Sequence, residues 1–296
     1  MVSSLAKHSA DSYTSDAVRL YDGRRDRDSF ERDSRHDVRL PGAASMNSSF
    51  LHGEVEIAFL DEGEGAPIVL IHGFASNKEV NWVQPGWVAT LTKAGRRVIA
   101  LDNRGHGQSA KLYDPAEYHS SRMADDVRAL MDHLSISRAD VMGYSMGARV
   151  TAYLALEHRD RVRAAILGGL GMSLVEGVGL PERIADALEA PDIADVTGEQ
   201  ARLFRAFADQ TKSDRRALAA CIRGSRQTLT REQAAAIRMP MLIAVGTKDI
   251  IAGSAEALGE LIPGARALSI PERDHMLAVG DKVFKAAVLA FLAERP

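Results

Sequence analysis

The chain carries one cysteine, Cys221, in 296 residues, so no internal disulfide can staple the fold. Its nine histidines and that thiol form no Cys/His cluster with metal-ligand spacing, and no metal or cofactor is expected. No apolar run approaches the ~18 to 20 residues that cross a bilayer. No basic segment followed by an apolar one opens the sequence, so a secretory signal is not expected either. These absences suit a reducing, cytoplasmic setting. Charge of one sign is never concentrated: 37 Lys and Arg face 40 Asp and Glu, for a formal −3. No surface for nucleic acid or an anionic membrane is therefore expected. Internal repeats are absent as well. What remains is an ordinary globular composition, 46% hydrophobic and 26% charged, long enough to bury a substantial core.

Residues 1–45 differ from the rest. "DSYTSDAVRLYDGRRDRDSFERDSRHDVRLPGAAS" is rich in Asp, Arg and Ser and has no runs that build a core, so a mobile tail is expected, with Met46 as a possible natural start. From about Phe50, short apolar runs alternate with amphipathic stretches. "VEIAFLDEG" alternates as a half-buried strand does, and its Asp-Glu-Gly-Glu-Gly ending reads as a hairpin turn. "PIVLIHG", "RRVIALD", "ADVMGYS" and "RAAILGGL" read as strands buried on both faces. Between them, "SRMADDVRALMDHLSI" sets Met123, Val127, Leu130, Met131 and Leu134 on one helical stripe, and "ARVTAYLALEHRD" has a similar face. The alternation predicts an α/β fold with a mostly parallel sheet covered by helices.

From Gly171 to Met239 the pattern shows helices only, then resumes with "PMLIAVGTKD", "ARALSIPERDH" and a last helix. Residues 46–170 and 240–296 are therefore expected to form the core, with 171–239 a helical cap. Within the cap, Leu180, Ile184, Leu188, Leu203, Phe204, Phe207 and Leu218 are expected to bury its underside. Arg202, Arg205, Arg215 and Arg216 are read as a solvated face, Cys221 as a small core residue, and the glycines of "GGLGMSLVEGVGLP" as a hinge.

In an open α/β sheet, ligands bind at the carboxyl ends of the strands, and four stretches fall there. In "GYSMG", Ser145 stands between Gly143 and Gly147 at a strand-to-helix turn, the pattern of an elbow that exposes a serine hydroxyl. A serine needs a base, and His275 in "PERDHMLAV" follows the last strand. The base needs an orienting carboxylate, and Asp249 ends "MLIAVGTKD". The neighbouring Asp274 is read as a turn former. The order Ser, Asp, His matches one hydrolase architecture. An oxyanion needs donors. In "LIHGFASN", Gly73 lets the chain bend so that the Phe74 N–H faces the site, and the Met146 N–H supplies the second. His72, Gly73, Tyr144 and Met276, flanking these groups, are assigned to the substrate pocket, as are the Phe74 and Met146 side chains.

Together, "HGF", "DNRGHGQS", "GYSMG", "GTKD" and "RDH", in this order from about Phe50 to Pro296, resemble the α/β-hydrolase superfamily. The resemblance implies an eight-stranded, mostly parallel sheet and a helical cap entering after the sixth strand. It reads Asp102 and Arg104 as braces of the oxyanion loop and His106 as structural. Dehalogenases and most epoxide hydrolases of the superfamily carry aspartate where Ser145 stands. Carbon–carbon hydrolases typically carry Asn and Trp where this chain has Tyr144 and Met276. An HGGG loop is missing. The chain looks closer to small bacterial esterases, lactonases and perhydrolases. The expected activity is serine-dependent cleavage of a small-molecule ester, lactone or thioester. Carbon–carbon hydrolysis, perhydrolysis and ligand reception on the same triad are the alternatives, and the oligomeric state is left open.

Overall fold

The computed structural model describes residues 48–177 and 182–294. The expected tail (1–45), the start at Met46 and the Leu180 assignment lie outside them. Eight strands form one sheet in the order β1-β2-β4-β3-β5-β6-β7-β8. They are β1 (Ser48–His52), β2 (Val55–Glu62), β3 (Ala66–Ile71), β4 (Arg96–Leu101), β5 (Ala139–Tyr144), β6 (Val162–Gly168), β7 (Met241–Gly246) and β8 (Ala265–Ile270). β1 and β2 run antiparallel, and every pairing from β4 to β8 is parallel.

The apolar runs read as two-faced strands are buried on both sides. Along β3, Val69 and Ile71 join one core while Ile68 and Leu70 join another. Val141 and Met142 of β5 divide in the same way, as the period of two requires. Helices α1 (Trp87–Lys93) and α10 (Lys282–Ala293) cover the second face through Trp87, Leu91, Phe284 and Val288. The first is covered by α2 (Ser120–His133) and α3 (Met146–Glu157). On α2 the stripe Met123, Val127, Leu130 and Met131 is buried as the spacing predicts, with Leu134 half-buried just past its end.

The Asp-Glu-Gly-Glu-Gly turn is not a hairpin. β4 lies between β2 and β3, so the turn crosses the start of β4 instead of pairing the strands that it joins. Gly63 and Gly65 both have positive φ, and a Cβ on either would stand 2.6 Å from the Arg96 carbonyl or 2.3 Å from that of Gly95. Those glycines serve a close crossing.

Between β6 and β7 the described residues hold only helices: α4 (Ser173–Glu176), α5 (Arg183–Glu189), α6 (Glu199–Gln210), α7 (Arg215–Gly224) and α8 (Arg231–Ala235). Ile184, Leu188, Phe204 and Leu218 are buried, Phe207 is half-buried, and Leu203 points to solvent on the opposite side of α6. Arg205 is no solvated base: it is buried, paired with Asp209, and donates to the carbonyls of Ala187 and Ala190. Glycines at the entry are packed tightly. A Cβ on Gly168 or Gly169 would stand 2.7 Å from the Tyr144 ring, and one on Gly171 2.5 Å from the Ser254 carbonyl. Close approach is what requires glycine at these three positions. α9 (Ala255–Leu261) joins β7 to β8. No helix among the described residues is long and apolar enough to cross a membrane.

β3 has β4 on one side and β5 on the other, so the chain changes winding direction there. A crevice opens at the carboxyl ends of the strands at such a point, and both "HGF" and "GYSMG" follow these two strands.

Candidate active site

Ser145 has φ 54 and ψ −113, a conformation rare outside glycine. Its N–H donates to the Gly168 carbonyl at 2.8 Å, tying the elbow to β6. The two flanking glycines are dictated by backbone proximity. A Cβ on Gly143 would stand 2.1 Å from the Gly147 carbonyl, and one on Gly147 2.0 Å from that of Ile71. Only such a tight crossing lets α3 start directly from the buried end of β5 and lift the serine side chain out of the sheet.

His275, in the loop after β8, places Nε2 2.9 Å from Ser145 Oγ. Its Nδ1 lies 2.7 Å from Asp249 Oδ2. An ionised carboxylate only accepts, so Nδ1 carries the proton and donates, which leaves Nε2 free to accept from the serine hydroxyl. The second oxygen of Asp249 accepts from the Ile251 and Ala252 N–H groups at 2.8 and 3.0 Å. Burial opposes the Asp249 charge, yet the His275 hydrogen bond and charge, with those two amides, outweigh it and hold the carboxyl below its ordinary range. Three residues far apart along the chain thus meet at one rim of the sheet. Asp274 turns away and accepts from the Met276 and Leu277 N–H groups.

The loop after β3 is braced from several sides. Asn81 Oδ1 accepts from the Gly73 N–H at 3.0 Å, and Ser76 N–H donates to the Gly73 carbonyl. The Phe74 N–H takes no part in these bonds, and the Met146 N–H belongs to the first turn of α3, where helical amides have no partner within the helix. Asp102 holds the loop from below: its oxygens accept from Lys78 N–H at 2.8 Å, Lys78 Nζ at 2.7 Å and Gln108 N–H at 2.8 Å. Burial works against the Asp102 charge, but His72, Lys78 and these donors prevail and lower its pKa. Arg104 takes no part in this bracing. It grips Asp126 through two bonds of 2.7 and 2.8 Å and reaches Glu117.

A cavity of about 50 Å³ opens beside Ser145, lined in part by Phe74, Met146, Arg149, Ile222 and Arg226. Helix α7 therefore reaches the cavity beside the serine through Ile222, and Cys221 Sγ lies 3.7 Å from Met146 Sδ. Burial pushes the Cys221 thiol up to about 12, as for a neutral core residue. Of the residues assigned to the pocket, His72, Gly73, Tyr144 and Met276 do not line this cavity. His72 is fully buried as a strut: its Nε2 accepts from Asn103 N–H at 2.9 Å, so Nδ1 carries the proton and donates to the Gly73 carbonyl at 2.7 Å. Desolvation lowers its pKa, in keeping with a neutral ring. Gly73 is buried backbone facing the Tyr144 carbonyl. Tyr144 donates its hydroxyl to the His275 carbonyl at 2.6 Å, and its ring lies beside the imidazole. Tyr144 thus holds the His275 loop and ring from behind. Met276 is exposed on the outer side of the loop. His106, buried and bonded to the Arg104 carbonyl, has its pKa lowered to about 3 by desolvation and by neighbouring His72.

Sequence reasoning missed Lys78, Asn81, Arg149 and Arg226. For Arg149 a signal existed: it is the lone charge inside the apolar stretch "ARVTAYLAL".

Comparison with known proteins agrees with this architecture. A family model described as the alpha/beta hydrolase fold matches residues 66–188. The dihydrolipoyllysine-residue acetyltransferase component of an acetoin cleaving system from Pseudomonas putida is 30% identical over 250 residues, 77% of this chain and 64% of that protein. The chain thus spans just under two thirds of that relative's length. A hydrolase structure from Pseudomonas aeruginosa PA01 is 26% identical, covering 83% of this chain and 98% of that one with a TM-score of 0.70. The enol-lactonase of Burkholderia xenovorans LB400 is 25% identical over 83% of this chain and all (100%) of its own, with a TM-score of 0.65. The matched model runs from β3 into α5 and the structural neighbours are spanned nearly end to end, so the chain has the α/β-hydrolase fold.

Proposed function

We propose that this hydrolase cleaves a carboxylic ester, lactone or thioester of a small molecule through an acyl-enzyme. One observation carries the reading: Ser145 Oγ, the His275 ring and Asp249 stand in hydrogen-bonded sequence at 2.9 and 2.7 Å. His275 takes the serine proton as Oγ attacks the carbonyl carbon, and Asp249 holds the ring in the accepting tautomer and stabilises the imidazolium. Charge developing on the carbonyl oxygen is met by the Phe74 and Met146 N–H groups and by the positive end of α3. The imidazolium then protonates the leaving alcohol or thiol. Water, deprotonated at the same nitrogen, releases the acid and restores the serine. The helices between β6 and β7 act as a cap that shapes the acyl pocket, which α7 supports by lining the cavity. No cofactor enters this cycle.

Ser145→Ala is expected to abolish both p-nitrophenyl acetate turnover and fluorophosphonate labelling. Undiminished labelling of that variant would overturn the assignment of the nucleophile. Carbon–carbon hydrolysis or perhydrolysis on the same groups is the competing reading, and a substrate panel run with and without hydrogen peroxide separates the three chemistries.

A further inference from the structure

Helix α3 is buried at every position from Met146 to Ala155, and one of those residues is Arg149. Taking a guanidinium out of water without a counter-ion is costly. Three other arginines are as deeply buried, and each has its acid: Arg96 with Asp140, Arg104 with Asp126 and Arg205 with Asp209. Arg149 forms no ion pair among the described residues. Its Nη1 and Nη2 donate to the carbonyls of Gln227 at 2.5 Å and Ser173 at 3.4 Å, which fix its direction without neutralising it. Arginine stays protonated in such surroundings. The side chain lines the same cavity as Ser145, and so does the exposed Arg226, itself without an ion pair among the described residues. Among the described residues, no aspartate or glutamate lines that cavity.

We propose that Arg149, with Arg226 at the rim, receives a carboxylate borne on the acyl part of the substrate, so that the substrates are monoesters, lactones or thioesters of short dicarboxylic acids. This rests on the serine-hydrolase reading above. Four helical residues span about 6 Å along the axis, so Arg149 stands one short chain from the carbonyl that Ser145 attacks. The small cavity favours two or three methylenes between the two groups. The planar fork suits a carboxylate held through two parallel hydrogen bonds. The missing counter-ion of Arg149 is thus supplied by the substrate, which couples binding to charge.

The test compares kcat/KM for monoethyl succinate and its neutral isostere ethyl succinamate, using the full chain. The carboxylate is expected to win by tenfold or more. Arg149→Met should bring the ratio close to one, Arg149→Lys should keep part of it, and Arg226→Ala, at an exposed position, should lower it several-fold in a normally folded protein. A wild-type ratio near one, or an unchanged ratio in a folded Arg149→Met, overturns the proposal. A preference for acetoxyacetate, whose carboxylate lies on the alcohol side, overturns it likewise. In a separate arm, calorimetry follows succinate binding to Ser145→Ala, with and without Arg149→Met. Binding that needs Arg149, in an enzyme that turns over neither ester, would sink the serine chemistry and keep the arginine site. Ester turnover without charge preference or succinate binding would do the reverse.

Discussion

Asp249→Asn tests the site with almost no change of shape. The carboxylate makes three bonds: one oxygen faces His275 Nδ1 at 2.7 Å, and the other accepts from the Ile251 and Ala252 N–H groups. An amide has one acceptor oxygen and one donor group, and two backbone donors already claim an oxygen. Turning the amide so that its NH2 faced those two N–H groups would lose both bonds, each worth about 0.5–1.5 kcal/mol, and set donor against donor. The amide oxygen therefore stays on the loop, and the NH2 faces Nδ1. That nitrogen must then accept, which moves the ring proton to Nε2, where it points at the serine and cannot take its proton. A triad locked in the wrong tautomer loses roughly 10⁴-fold in kcat, or about 5.5 kcal/mol of transition-state stabilisation. The assay is p-nitrophenyl acetate hydrolysis at pH 7.5, with thermal melting to verify the fold. A folded variant keeping more than a tenth of wild-type kcat would refute both the tautomer reasoning and the place of Asp249 in it.

Gly147→Ala would press a methyl into the Ile71 and His72 carbonyls, at 2.0 and 2.6 Å. Since backbone cannot step aside, urea denaturation should show a loss of about 3 kcal/mol or more, and a loss below 1 kcal/mol would contradict the geometry. Lys78→Met leaves Asp102 buried beside only its backbone donors and should cost about 3–5 kcal/mol. Adding Asp102→Asn should recover part of that loss, and a double-mutant cycle with no coupling would dismiss the pair. His106, with its folded pKa lowered to about 3, binds its proton more readily in the unfolded chain. Its contribution is complete above pH 6.5 and falls away as the pH drops from 6.5 towards 3, at about 1.4 kcal/mol per pH unit. Between pH 7 and 5, His106→Gln should therefore lose about 2 kcal/mol less than the wild type in urea titrations, and parallel curves would exclude this origin.

The parts of this molecule legible in its sequence are those set by local periodicity or by backbone crowding. A strand such as "ADVMGY" is apolar because neighbours cover it on both faces, and "GYSMG" needs its glycines because two carbonyls stand about 2 Å from their missing Cβ atoms. Both causes act within a few residues, so both leave a short pattern. Edge strand β1 lacks that pattern, since only Phe50 of its five residues is buried. Pairing partners are not local either. The turn of Gly63 and Gly65 has the composition of a hairpin, and only the insertion of β4 between the joined strands makes it a crossing. The pocket shows the same limit more sharply. His72 and Tyr144 adjoin the key residues in sequence, yet a strand directs alternate side chains to opposite sides. Tyr144 therefore points behind the sheet's rim to the His275 carbonyl while Ser145 points into the cavity. Arg149 lies four residues beyond Ser145, where the helical period returns a side chain to the same face. Proximity to Ser145 in space thus follows the period of the element as well as distance along the chain: Met146 reaches the cavity as the next residue, and Arg149 as the next position on the same helical face.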